Sequence, residues 1–189
     1  ELLLQDVAFT GSGELRENTQ RWKLSSKDTR LHQWLRIIPK AWQPNIDLAA
    51  IGGEADAQFD ISLDDDKQEV LATAKLKDAA LNLEEKHILL QNANGEIAFR
   101  YATTAKQSKS HLSLKNIKAN TRTGDLALNL EIENLQMPQV ATNGSFNIQL
   151  EELLGIARPG LLKDARGIVN GNFSYSKNFS DWDDLKQNF

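Results

Sequence analysis

"LKDAALNL", residues 76–83, is the stretch whose reading decides the fold. It opens with a leucine, a long polar residue, Asp or Asn, and then an apolar residue. The phrase returns as Leu4-Gln5-Asp6-Val7, Leu90-Gln91-Asn92-Ala93, Leu114-Lys115-Asn116-Ile117 and Leu162-Lys163-Asp164-Ala165, with a looser copy at Ile132-Glu133-Asn134-Leu135. Asp and Asn bond nearby backbone and tolerate unusual dihedrals, so they suit a bend or a bulge. A one-residue bulge returns the apolar residue, three places on, to the leucine's own face of a strand. The phrase therefore predicts a curvature device repeated along a long sheet. Chance is the competing reading, because Leu, Lys, Asp and Ala are common; the number of copies favours a repeat.

Around these phrases the dominant signal is period-two alternation. In "EADAQFDISLD" (54–64) Ala55, Ala57, Phe59, Ile61 and Leu63 alternate with Glu54, Asp56, Gln58, Asp60, Ser62 and Asp64. Successive strand side chains point to opposite faces, so this is a strand with one dry and one wet face. "DLALNLEIE" (125–133) repeats the pattern with Leu126, Leu128, Leu130 and Ile132. So do Val70/Ala72/Ala74/Leu76, Ile97/Phe99/Tyr101, Leu112/Leu114, Phe146/Ile148/Leu150 and Val169/Gly171/Phe173/Tyr175. One-sided strands in long succession predict an antiparallel sheet with a solvated face. "DDDK" (64–67), "NANG" (92–95), "TRTG" (121–124) and "TNG" (142–144) carry turn residues and are expected to separate strands.

Two places break the rhythm. Leu31, Trp34, Leu35 and Ile38 have helical spacing, with Ser26 or Asp28 available as a cap and Pro39 as a stop. "LEELLGIARPGLL" (150–162) reads as a shorter helix stopped by Pro159. Helix is thus expected near 28–38 and 150–157. After each comes a glycine-led strand, and Gly53, Phe59, Ile61 and Ser62 fall at a constant offset on Gly167, Phe173, Tyr175 and Ser176. A helix-then-strand unit occurring twice, at 24–63 and 146–176, is the expectation. The chain as a whole, 1–189, is read as a single β-rich module and as a piece of a longer envelope protein.

Bulk properties bound the function. The 189 residues are 40% hydrophobic and 25% charged, with net charge −4, so nothing suggests nucleic-acid binding by bulk electrostatics. There is no cysteine, which removes disulfides, thiolate metal sites and a Cys nucleophile together. No run approaches the roughly 20 apolar residues of a membrane-spanning helix.

No convergent catalytic set emerges. His32, His87 and His111 lie in unrelated settings without metal-ligand spacing. Asp64, Asp65 and Asp66 lack the alternating spacing of a calcium loop and read as a solvated hairpin tip. Asp181 is placed to cap a short helix. Trp34 and Trp42 flank Pro39 and are suited to packing over one end of the sheet. We expect no enzyme activity, no metal and no cofactor.

The strand phrases, followed by "FNIQLEELLGIARPGLLKDARGIVNGNFSYS" (146–176), resemble the AsmA-like proteins of Gram-negative envelopes. The elements that carry the likeness are a strand at Phe146–Leu150, a Leu-rich helix at Glu151–Ala157 and a glycine-led strand at Gly167–Ser176. The last third of the chain carries it best; the rest matches by pattern only, and no single motif is diagnostic. The resemblance implies a periplasmic module of a protein tethered to the inner membrane, contributing to outer-membrane assembly. It also implies kinship with TamB-type and bridge-like lipid-transfer proteins, whose long sheet folds into an open trough, a β-taco, lined for acyl chains.

The residues add their own argument. Roughly ten one-sided strands present more apolar face than two short helices can bury. The sheet must fold on itself, meet another module, or line a groove for an apolar ligand. Phe59, Ile61, Phe99, Leu128, Phe146 and Phe173 are the candidate lipid-facing residues, and phospholipid or another acyl-chain lipid the candidate partner. The alternative is a scaffold or adhesin-like β-domain with a sealed core that binds protein or glycan.

Overall fold

The computed structural model describes residues 2–4, 7–37, 50–83, 88–157, 166–181 and 183–185. The fold is all-β. Its strands are β1 (Leu2–Leu4), β2 (Val7–Arg16), β3 (Thr19–Arg30), β4 (Ile51–Asp64), β5 (Lys67–Leu83), β6 (Ile88–Thr104), β7 (Ser108–Asn120), β8 (Asp125–Glu133), β9 (Gln139–Gln149) and β10 (Ile168–Asn178). They form one antiparallel meander whose order in the sheet is their order in the chain. The sheet is open: among the described residues β1 and β10 remain its edges. A long open sheet of this kind fits the expected trough-like architecture.

Two helices interrupt the meander, α1 (Leu31–Ile37) between β3 and β4, and α2 (Leu150–Ala157) between β9 and β10. Both lie where helical spacing places them, α2 starting at Leu150, one residue before the helix start expected at Glu151. The capping expectation for α1 fails. Ser26 and Asp28 belong to β3, which runs directly into the helix, and Asp28 is committed to a bulge (φ 49°). Pro39, Pro159, Trp42, Trp182 and His87 lie outside the described residues.

The recurring phrase makes bulges. Register slips by one residue between Ser26 and Thr29 in β3, Leu76 and Ala79 in β5, and Leu114 and Ile117 in β7. At each slip the extra residue is an acid or amide in the left-handed region: Asp28 at 49°, Asp78 at 47°, Asn116 at 53°. Asp and Asn enter that region at lower cost than other side chains, because their short polar group bonds locally. Asn92, at 50°, marks the corresponding disturbance in β6. The slip has the expected consequence. Leu76 and Ala79 are both buried in one core cluster, as are Ala93 and Ile117, with Leu90 and Leu114 packed against it. The copies at 4–7 and 162–165 are only partly described or lie outside the described residues. The looser copy does something else: Asn134 (φ 54°) ends β8 and starts the turn to Pro138, its carbonyl accepting from Met137 N–H.

This use of left-handed residues corrects two expected turns. "NANG" lies inside β6 and "TNG" inside β9. In the first, Asn92 and Gly95 (φ 152°) shape a bulge rather than a reversal; in the second, Gly144 sits in regular pairing beneath the ring of Phe173. "DDDK" and "TRTG" do reverse the chain, between β4 and β5 and between β7 and β8. The latter turn is latched by Glu152 of α2, whose carboxylate accepts from Arg122 N–H (3.1 Å), Thr123 N–H (2.9 Å) and the hydroxyls of Thr121 and Thr123.

Apolar side chains gather on one face. One buried cluster centres on Ala55, Leu76, Ala79, Ala93, Ile117 and Ala119, with Leu31 and Trp34 of α1 packed on it. A second joins Ile132 and Val140 to Phe179 and Leu185. Phe179 follows directly on β10, and Leu185 arrives on a helical turn at 183–185, which Asp181 caps as expected: its Oδ1 accepts from Asp184 N–H at 2.8 Å. The other face is wet and carries cross-strand ion pairs, such as Arg100 with Glu69 at 2.7 Å.

The face assignment gives a direct test. Leu128→Asp puts an unpaired charge among apolar neighbours and should cost at least about 2 kcal/mol. Asn129→Asp keeps a carbonyl-type oxygen on the wet face and should cost well under half of that. Equal melting-temperature shifts for the two variants would refute the assignment. The bulge chemistry gives a second. Asn116→Gly should be nearly neutral, whereas Asn116→Val should cost about 1–2 kcal/mol, because a β-branched residue is strained in the left-handed region. Urea titration of the pair decides it.

Candidate functional site

The site begins with the bulges, because they decide which side chains share a face. Each pairs two residues against one. Lys27 and Asp28 oppose Asp56, Lys77 and Asp78 oppose Asn94, and Lys115 and Asn116 oppose Asn129. The slip leaves the N–H of the left-handed residue without a ladder partner. In all three cases the opposing side chain supplies it. Asp28 N–H donates to Asp56 Oδ1 (2.9 Å), Asp78 N–H to Asn94 Oδ1 (3.3 Å) and Asn116 N–H to Asn129 Oδ1 (2.8 Å). Asn94 and Asn129 are then held from their other ends, Asn94 Nδ2 donating to Asn92 O and Asn129 Nδ2 to Asn143 Oδ1.

Glycines make room for two of these bulges. A Cβ on Gly53 (φ 90°) would lie 2.5 Å from Ala79 Cα and 2.6 Å from Asp78 O, and one on Gly95 would lie 2.9 Å from Ile117 Cα. No side chain fits against backbone at that range, so β4 and β6 must carry glycine opposite the bulges of β5 and β7. Sequence reasoning found the bulge residues of β5 and β7 but missed the copy at Lys27-Asp28, which lacks the leucine. It also missed the opposing acceptors. Their signal was present in the sequence as single Asp or Asn residues on wet-face positions.

The six candidate lining residues converge. Register carries Phe59 through Ala72, Phe99, Leu112 and Ile132 to Val140, one row across six strands. Leu128 lies four residues before Ile132 on β8, and Leu128–Gly144–Phe173 and Leu126–Phe146–Gly171 form further rows on the same face. Ile61 sits beside Phe59, paired with Trp22 and Val70. All six are half-buried. At β9 and β10 the rings of Phe173 and Phe146 lie across Gly144 and Gly171, so close that a Cβ there would meet them at 2.7 and 2.5 Å. Phe59 differs from the rest. It stacks on Trp34 of α1 (centroids 5.4 Å, 29°) and meets Phe9 edge-on at 5.9 Å, forming a packed aromatic triad.

Titratable groups form no converging set. His111 pairs with Glu131 at 3.3 Å, and His32 lies on α1. Asp65 and Asp66 are exposed at the β4–β5 tip, and no cluster of three metal-ligating side chains occurs among the described residues. No described helix is long and apolar enough to cross a membrane. The strongest electrostatic feature is structural. Lys77 Nζ reaches back from β5 to Asp28 (2.7 Å) and Asp56 (2.8 Å), tying one bulge to the previous one. Its hydrogen bonds to those carboxylates raise the Lys77 ammonium above its ordinary range. In turn the Lys77 ammonium, and then the Asp28 N–H, hold Asp56 below its ordinary value of 3.8.

The sign of the pH effect follows. Asp56 contributes stability that is present above its ordinary pKa and lost as the pH falls through its lower folded value. Lys77 contributes stability present below its ordinary pKa and lost only at strongly alkaline pH. Stability should therefore fall on the acid side below 3.8, and Lys77→Met should shrink that fall by lowering stability at neutral pH by the same small amount, small because the pair is partly solvent-screened. Denaturant midpoints from pH 2 to 7 measure it; an identical acid slope in the variant refutes the linkage.

The chain matches no protein-family model, and no curated protein and no solved structure is significantly similar to it.

Proposed function

We propose that the chain is a non-enzymatic module of a Gram-negative envelope protein that shields or conveys lipid in the periplasm and contributes to outer-membrane assembly. The AsmA-like resemblance suggests the setting, with tethering to the inner membrane in the full-length protein. The observation that carries the reading is the apolar row from Phe59 to Val140, half-buried at Ala72, Phe99 and Leu112 and buried at Ile132 and Val140, with half-buried Ile61, Leu128, Phe146 and Phe173 on the same face of an open sheet. Between its packed ends the row is only partly covered at Ala72, Phe99 and Leu112, about 10 Å at strand spacings of about 4.8 Å, and Phe146 and Phe173 continue the apolar surface on β9 and β10. Among the described residues α1 packs over that face at one place, and Phe179, Leu185 and Leu135 at another.

The mechanism is passive. Each methylene taken from water is worth about 0.8 kcal/mol. A few methylenes against Phe99, Phe146 and Phe173 hold a chain without trapping it, and aromatic rings laid flat over glycines leave the surface low enough for a chain to slide. Phe59, stacked beneath Trp34, forms the packed end of the row rather than its open part.

Photo-crosslinking in cells tests this. A photoreactive residue at Ile61, Phe99, Phe146 or Phe173 should capture lipid, and one at Asp60 or Asn147 on the opposite face should not. Equal labelling of both faces reports membrane proximity alone and defeats the proposal. Absence of labelling at the apolar positions defeats it too and favours a scaffold with a sealed core.

A further inference from the structure

The wet face carries a feature that the lipid reading does not use. At the end of the sheet near the β7–β8 turn, strands β6 to β10 enclose an open hollow of about 760 Å³. Asn120, Asp125, Asn147 and Asn170 are successive register partners across four strands, and Lys118, Ala127, Ser145 and Asn172 form the next row. All of these except Ala127 are exposed, and the amides of Asn120, Asn147, Asn170 and Asn172 make no hydrogen bond to another described residue. We propose that this carboxamide-lined hollow is a binding site for a neutral polyhydroxylated ligand, an extended oligosaccharide.

Three properties select that chemistry. Each amide offers one acceptor oxygen and two donor hydrogens, the complement of adjacent sugar hydroxyls, which both donate and accept. The single cation, Lys118, is offset by the single carboxylate, Asp125, so the lining favours neither an anion nor a metal ion. Finally, the polar side chains of the row Asn120, Asp125, Asn147 and Asn170 repeat at the strand spacing of about 4.8 Å, close to the advance per sugar ring of an extended glycan, with the Asp125 carboxylate standing between the amides of Asn120 and Asn147. The groups are held on strands rather than on loops. The adjoining turn is fixed by Glu152 of α2, so the spacing exists before a ligand arrives. The site does not depend on the apolar face, and either assignment can fail without the other.

Amide-resolved NMR titration with cellohexaose and chitohexaose, soluble neutral β-linked hexasaccharides, tests the proposal. We expect saturable shifts of the side-chain amides of Asn120, Asn147, Asn170 and Asn172, with a dissociation constant of about 1 mM or tighter for at least one of the two. The triple variant Asn120→Ala/Asn147→Ala/Asn170→Ala alters exposed side chains only and should weaken binding at least tenfold. Gln58→Ala, on the same wet face but in β4, should leave it unchanged. No saturable shift with either sugar, shifts centred elsewhere, or full affinity in the triple variant would overturn the assignment.

Discussion

One backbone N–H, repeated three times, holds this sheet in its shape. Where β3, β5 and β7 each insert an extra residue, the left-handed Asp or Asn turns its N–H away from the ladder. An Asp or Asn side chain on the next strand accepts it. The three bulge residues lie on the exposed face, so each of these bonds contributes on the order of 0.5–1.5 kcal/mol net, the lost ladder bond being exchanged for a side-chain one rather than for water. The acceptors Asp56, Asn94 and Asn129 therefore make the bulges tolerable, and the bulges in turn keep the leucines on one side.

The geometry around that interaction is tightly conditioned. The extra residue must be Asp, Asn or Gly, because other side chains are strained at φ near 50°. The strand before it must carry glycine at Gly53 or Gly95, because backbone approaches too closely for a Cβ. Lys77 closes the first pair of bulges by reaching two carboxylates at once. Without the one-residue slip, every apolar residue beyond it would move to the wet face. Ala79 and Ile117 would then leave the core, and Leu128 would lose its partner across the strand.

The two faces that result have different chemistry, and the division extends the length of the sheet. One is a pavement of aliphatic and aromatic side chains, covered by α1 at one place and by Phe179, Leu185 and Leu135 at another. The other holds ion pairs in its middle and unpaired carboxamides near the β7–β8 turn. If both proposals hold, one sheet would meet acyl chains with its apolar side and sugars with its amide-lined side. Strand–helix–strand units recur within it: β3–α1–β4 and β9–α2–β10 each have a helix followed by a positive-φ glycine, Gly53 and Gly167.

The sequence by itself determined the strands, the dry and wet faces and the role of Asp78 and Asn116. Alternation and the leucine phrase are local signals, and side-chain direction in a strand follows from chain geometry alone. The candidate lining was legible for the same reason: Phe59, Phe99, Phe146 and Phe173 each sit at dry positions of their own strands. Local reading gave Asn92 two roles, a bulge in the leucine phrase and a turn in "NANG", and only the bulge holds, because a left-handed residue makes a turn or a bulge according to what lies beside it. It also mistook Asp28 for a helix cap, since the claim of Asp56 and Lys77 on that residue comes from strands more than 25 residues away. Only the tertiary structure decided the acceptors opposite the bulges, the latch of Glu152 on the turn, the stacking of Phe59 under Trp34, and the alignment of Asn120, Asp125, Asn147 and Asn170. Each depends on register between strands, which the pairing of the whole sheet fixes and no single strand encodes.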